Sequence, residues 1–187
     1  MTSRRSFLRS GLAWAVVGAT GLAALVRVTG YDRSDRRIAG LRALSPWQLA
    51  VVDALADRMC APDVPGQAPT PREVEVALFV DAFVAESAPE VQRDLHAAFG
   101  ALEHAFPALA GEVHRFTALS AERQDAVLVA MERSSIGLVR GAFHGLKSLV
   151  MMGYYRDPRT WGVLDYDGPF VARPTEGWVP LRYRRTP

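Results

Sequence analysis

Apolar residues recur in steps of three and four along most of this 187-residue chain, and prolines divide the pattern into segments of helical length. The first segment begins at Ser45-Pro46, since serine is a favoured N-cap and proline a favoured first helical residue. A proline-rich loop over residues 63–71 follows it. A first helix is therefore predicted between Ser45 and Pro62, with the stripe Leu49, Val52, Leu55 and Met59.

The same period continues in later segments. A second helix is predicted from Pro71 or Arg72 to Glu86, with a buried stripe of Val76, Phe79, Val80 and Phe83. A third begins at Pro89, with the stripe Val91, Leu95, Phe99, Leu102 and Phe106. A short helical piece over residues 108–116 precedes a helix from Ser120 to Arg133, whose inward residues are Val127, Leu128 and Met131. The last helix spans residues 136–152, and Gly153 is predicted as its C-cap.

No segment alternates apolar and polar residues for long enough to indicate a sheet. The chain is therefore predicted to be all-α, an irregular bundle of about five helices in residues 45–152. A long non-regular C-terminal arm (residues 153–187) follows the bundle. A signal helix (residues 1–30) and a polar, arginine-rich linker (residues 31–44) precede it.

Two features of the C-terminal part indicate contact surfaces. Gly137, Gly141 and Gly145 fall every fourth residue on the last helix, so one face allows close approach of another helix, within the chain or across subunits. The arm carries large amphipathic rings between turn-forming sequences, and such rings anchor protein interfaces or cover a protein's own core. The candidate partner interface consists of Tyr154, Tyr155, Asp157, Pro158, Trp161, Tyr166, Gly168 and Pro169.

The N-terminus has the pattern of a twin-arginine export signal. Arg4-Arg5 is followed by Phe7-Leu8 and then by an uncharged run rich in glycine and alanine, from Gly11 to Val26. The twin-arginine translocase carries folded proteins, so the chain is expected in the periplasm or on the outer face of the cytoplasmic membrane. No clear Ala-x-Ala cleavage site follows the run, so cleavage and retention as an anchor both stay open.

Composition excludes several functional classes. Four of the 22 basic residues precede the first acidic residue, Asp32, so the rest of the chain has 18 basic and 20 acidic residues and gives no sign of nucleic-acid binding. Cys60 is the only cysteine, which rules out an internal disulfide, an attached c-type haem and a four-cysteine cluster. No nucleotide-binding glycine motif is present. The histidines have no metal-ligand spacing; they are His96, His104, His114 and His144. No catalytic, cofactor or metal residue is predicted.

With these residues in view, the chain resembles the gluconate 2-dehydrogenase subunit 3 family over most of residues 40–170. The resemblance rests on the twin-arginine start, on the helix opening Leu44-Ser45-Pro46, and on the aromatic block of residues 153–169. Leu164-Asp165-Tyr166 departs from the Leu-Gly-Tyr expected in the family, which affects only a local turn.

The resemblance implies that this chain contains no cofactor. FAD would belong to a large catalytic subunit of the glucose-methanol-choline type, and haem c to a possible multihaem cytochrome c subunit. The small subunit would carry the export signal for the large one and aid its maturation and stability. Two other readings stay open: a membrane-tethered structural or binding protein unrelated to redox, or a small exported enzyme with an unrecognised site such as His144 with Tyr154 or Asp157.

Overall fold

The computed structural model describes residues 31, 34–62, 64, 66–166 and 168, and the regular structure in these residues is entirely helical. Five α-helices form the bundle: α1 (Pro46–Cys60), α2 (Val76–Glu86), α3 (Pro89–His104), α4 (Ala121–Glu132) and α5 (Gly137–Tyr155). Four 3-10 helices accompany them: η1 (Arg36–Gly40), η2 (Phe106–Ala110), η3 (Phe116–Ala118) and η4 (Pro158–Leu164). The predicted all-α bundle of about five helices is thus confirmed in the described part. The predicted signal helix and residues 169–187 of the arm lie outside it.

Helix α1 lies at the centre of the bundle and packs against α2, α3 and α5. Its predicted start is confirmed, with Ser45 as N-cap and the Ser45 N–H donating to the Gln48 side-chain oxygen at 2.9 Å. Leu49, Val52 and Leu55 are buried, as their helical spacing predicted. None of the helices in the described residues is both long and apolar enough to cross a membrane.

Helix α2 differs from its prediction in its start and in its buried face. Residues 71–75 form turns, and the helix begins only at Val76, after Glu75 in the left-handed conformation (φ 55°). Phe83 is 37% exposed, whereas Asp81 and Val84 are buried. The predicted stripe was therefore wrong at Phe83, because the face that packs on the bundle is rotated toward Asp81 and Val84.

The connection between α3 and α4 also differs from the sequence prediction. In place of one helical piece over residues 108–116, two short 3-10 segments are present, η2 and η3. Pro107 is the second residue of η2, and Gly111 ends it with a positive φ of 77°. Val91, predicted in the α3 stripe, is exposed, while Phe99 and Leu102 are fully buried.

Residues 34–44, expected to belong to a linker, are docked on the bundle. The buried carboxylate of Asp81 accepts hydrogen bonds from the backbone N–H groups of Arg42, Ala43 and Leu44, at 2.8–2.9 Å. Arg37 pairs with Asp53 of α1, with 3.0 Å between Nη1 and Oδ1. The segment is therefore held at fixed points rather than spanning free solvent.

Glycine 153 was predicted to end the last helix, and this prediction was wrong. Helix α5 continues to Tyr155, and Gly153 is buried within it. A Cβ added at Gly153 would lie 2.9 Å from Phe79 Cδ1 and 3.1 Å from Val76 Cγ1. The glycine is needed because α5 and α2 approach closely here, not because the helix terminates.

A buried carboxylate joins three parts of the fold. Glu103 of α3 is fully buried and accepts hydrogen bonds from the Tyr31 hydroxyl, the Thr117 N–H (3.1 Å) and the Thr117 hydroxyl (2.6 Å). Arg115 Nε lies 3.6 Å from Glu103 Oε1, and the Arg115 guanidinium stacks 4.3 Å from the centre of the Tyr31 ring. This Glu103 cluster therefore attaches Tyr31 to the core.

Candidate partner interface

The end of α5 leads directly into η4, and the turn between them is fixed by Asp157. Its carboxylate accepts from the Arg159 N–H at 2.9 Å and pairs with the Arg159 guanidinium at 2.7 Å. These hydrogen bonds lower the pKa of Asp157 to about 2. Pro158 is the first residue of η4, where its missing N–H costs no helical hydrogen bond. Asp157 and Pro158 thus shape the start of the predicted interface.

Tyr154 is a core residue of this chain. Its ring is 1% exposed, and its hydroxyl donates to the Pro69 carbonyl at 2.8 Å. The chain's own residues therefore cover Tyr154, and the predicted contact of this residue with a partner stays a prediction. Tyr155 is half-buried and packs edge-on against Tyr154, with 5.1 Å between ring centres.

Three residues that follow α5 form a surface that we call the aromatic platform: Trp161, Tyr166 and Gly168. The Trp161 and Tyr166 rings meet edge to face at 5.2 Å, and Trp161 Nε1 donates to the Tyr155 carbonyl at 2.8 Å. Gly168 has φ 100°, and a Cβ there would lie 2.8 Å from Trp161 Cζ3. Tyr166 is 45% exposed and Trp161 is half-buried. Pro169 lies outside the described residues.

Two residues that the predicted interface did not include, Leu164 and Asp165, also shape this surface. Leu164 is 55% exposed beside the platform, although its position in a segment without helical period gave no signal. Asp165 adopts the left-handed conformation (φ 50°, ψ 35°), which glycine occupies without steric cost and which aspartate tolerates. Asp165, which stands where the family pattern would have glycine, therefore preserves the local turn.

The described residues bring no catalytic constellation together. Among them, no group of three or more histidine, cysteine or carboxylate side chains is placed to hold a metal ion. His144 and Tyr154 are ten residues apart on α5, about 15 Å along the axis, and the Tyr154 hydroxyl is engaged by Pro69. Cys60 is buried, and burial raises the pKa of its thiol to about 12.

The histidines of α3 have structural contacts. His96 Nδ1 lies 2.7 Å from Gln48 Nε2, which joins α3 to α1. The His104 ring packs near Trp47 at 6.0 Å. Both side chains therefore contribute to the packing of α1 against α3.

Comparison with known protein families agrees with the family resemblance that the sequence indicated. No curated protein and no solved structure gives a significant match to the chain. The family described as gluconate 2-dehydrogenase subunit 3 matches residues 46–168, a range that runs from the first residue of α1 to the last residue of the aromatic platform. Since this match spans well over half of the sequence, the chain belongs to the gluconate 2-dehydrogenase subunit 3 family.

Proposed function

We propose that this chain is the non-catalytic small subunit of a periplasmic, membrane-associated, flavin-dependent dehydrogenase. The family match over residues 46–168 carries the proposal, because this family is an accessory subunit of a dehydrogenase complex and implies a catalytic partner. FAD is proposed to reside in that partner, a sugar or alcohol dehydrogenase of the glucose-methanol-choline type. A multihaem cytochrome c is proposed as a third subunit that accepts the electrons.

The chain is further proposed to export its partner. Arg4-Arg5 and Phe7-Leu8 supply a signal for the twin-arginine translocase, which carries folded cargo. A catalytic subunit without its own signal would cross the membrane only when bound to this chain. In this role the small subunit binds the flavoprotein in the cytoplasm, aids its maturation and stays with it as a stabilising subunit.

The aromatic platform is proposed as a contact with the catalytic subunit. Trp161 and Tyr166 are partly exposed, their rings pack against each other, and Asp157 caps the helical turn that carries Trp161, so little conformational entropy is lost on binding. Large rings that are held in place and partly open to solvent are typical interface anchors.

Co-purification tests the proposal directly. A C-terminal affinity tag on this chain should recover a larger protein with the absorbance spectrum of an oxidised flavin, whereas the chain expressed alone should bind no flavin, haem or metal. Dehydrogenase activity should follow the larger protein. Recovery of the chain without a flavoprotein from its native host, or activity in the isolated chain, would contradict the proposal.

Changing Trp161 to alanine should weaken the complex without unfolding the subunit. The ring is only half-buried and lies outside the buried core, whereas truncation of an interface anchor typically costs about 2 kcal/mol, or about thirtyfold in affinity. Affinity for the catalytic subunit and the melting temperature (Tm) of the isolated subunit are measured side by side. A collapse of Tm would assign the ring to the chain's own core. Tyr154→Phe, which removes one buried hydroxyl, serves as a core control.

A further inference from the structure

The outward face of α5 is exposed along its whole length. Its exposed residues are Gly137, Leu138, Arg140, Gly141, His144, Gly145, Ser148 and Met152. Leu138 is 53% exposed and Met152 is 48% exposed, so the face has apolar residues near both ends of a strip of small ones. This strip is the face that the glycine spacing marked for close approach of a helix, and no described part of the chain fills it.

The glycines of α5 are not equivalent. Gly153 is required by the chain itself, because a Cβ there would collide with Phe79. At Gly141 and Gly145 an added Cβ would meet nothing within 4 Å among the described residues. A glycine in a helix interior lowers helix stability relative to alanine, and close packing normally compensates for that loss. The described part of the chain therefore supplies no packing that would compensate for Gly141 and Gly145.

The charge around this face limits what can cover it. Between Glu132 and Asp157 the sequence has no acidic residue, and Arg140 and Lys147 lie on one flank of the exposed strip. The Arg140 guanidinium donates to the Ser134 carbonyl, and the Lys147 ammonium lies 5.7 Å from the centre of the Phe143 ring. In the described residues neither cation forms an ion pair with a carboxylate. A molecule that packs here and carries carboxylates on that flank gains favourable electrostatics.

The two undescribed ends of this chain and a second copy bring few carboxylates to this flank. Residues 1–30 contain four arginines and no acidic residue, and residues 169–187 contain four arginines and one glutamate. A second copy that packed through the same face would bring another α5, which has no acidic residue. None of these occupants therefore complements both Arg140 and Lys147 with carboxylates.

We propose that the outward face of α5 is a contact surface for the catalytic subunit, separate in sequence from the aromatic platform. It receives a helix of that subunit that carries small or apolar residues against Gly141 and Gly145 and acidic residues against Arg140 and Lys147. This inference rests on the proposed function, since it names the surface by which the small subunit holds its partner.

The double change Gly141→Ala and Gly145→Ala separates this inference from an intramolecular role, because the two predict opposite effects on stability. In the isolated full-length chain, alanine favours the helix and meets open space, so Tm should rise, by about 2–4 °C for each position. In the complex the added methyl groups hold the partner helix away, and affinity for the catalytic subunit should fall at least about tenfold. Gly153→Ala is the matched control and should lower Tm.

A second pair of variants tests the charge requirement. Arg140→Glu with Lys147→Glu should weaken binding at least about tenfold, and more strongly at low salt. Arg36→Glu with Arg93→Glu changes the net charge equally at exposed positions of η1 and α3 and should leave binding within about threefold.

The outcomes are distinct. If the wild-type chain recovers no flavoprotein, the proposed function fails, and the inference fails with it. If the wild-type chain binds and both α5 variants bind as well as it does, only the inference is overturned. A lowered Tm in the double alanine variant would show that another segment of this chain covers the face. A wild-type dimer that these variants dissociate would show that a second copy does. Either result would also overturn the inference.

Discussion

Replacing Glu103 by alanine is expected to lower the free energy of unfolding by roughly 3–5 kcal/mol. The carboxylate is fully buried and is the acceptor for the Tyr31 hydroxyl and for both donors of Thr117, with Arg115 alongside. Its removal leaves these groups without their buried acceptor and opens a cavity between α3 and the segment that contains η3. Total stabilities of small domains are about 5–15 kcal/mol, so the loss is a large fraction of the total.

Urea unfolding followed by far-ultraviolet circular dichroism measures this loss. Glu103→Gln keeps the side-chain shape and one acceptor oxygen, so it should retain more stability than alanine. Tyr31→Phe removes only the hydroxyl and should cost about 1 kcal/mol. An alanine variant within about 1 kcal/mol of the wild type would show that the cluster does not hold the core together.

The Glu103 cluster also predicts how folding stability changes at alkaline pH. Burial, followed by the hydrogen bond and charge of Glu103, raises the pKa of Tyr31 above its ordinary value of about 10. A group whose folded pKa is raised stabilises the fold below its unfolded pKa, and this contribution is lost as the pH rises beyond it. Stability should therefore decline from about pH 10 upward. In Tyr31→Phe this part of the decline should disappear, which a urea series across that pH range would detect.

The buried face of α2 shows where sequence reasoning reached its limit in the fold. Every residue of α2 except Asp81 and Glu86 is apolar, so the helical period alone gave no preferred face. Asp81 decides the orientation, because its carboxylate must reach the N–H groups of Arg42, Ala43 and Leu44. These hydrogen bonds join residues about forty positions apart, and no local sequence pattern predicts them. In α1 and α4, by contrast, most residues of the predicted one-sided stripes are buried: Leu49, Val52 and Leu55 in α1, and Val127, Leu128 and Met131 in α4.

The candidate interface was partly predictable for a related reason. The sequence shows that glycine and aromatic residues cluster in α5 and directly after it, but it does not show the structural role of each one. Gly153 permits close approach of α2, Gly168 supplies a positive φ beside Trp161, and Gly141 lies open. Adjacent Tyr154 and Tyr155 differ in the same way, because the turns of α5 place one ring in the core and leave the other half-buried. Only the packing of neighbouring elements separates these roles.

Changing Arg4 and Arg5 together to lysine is expected to abolish export of this chain and of its catalytic partner. Guanidinium groups offer planar, paired hydrogen bonds that an ammonium does not reproduce, so the substitution removes recognition by the translocase while keeping the charge. The effect on the partner is the informative one. If the partner has no signal of its own, it should accumulate in the cytoplasm as a folded, flavin-bearing protein.

Cell fractionation with antibodies to both chains, and dehydrogenase activity in the periplasmic fraction, measure this outcome. Arg184→Lys with Arg185→Lys is the matched control, since it changes another arginine pair of the same chain in the same way and should leave export unchanged. Retention of this chain alone, with the catalytic subunit still reaching the periplasm, would show that the partner travels independently. Joint retention would establish that the small subunit binds its partner before export, because the translocase then reads one signal for two folded chains.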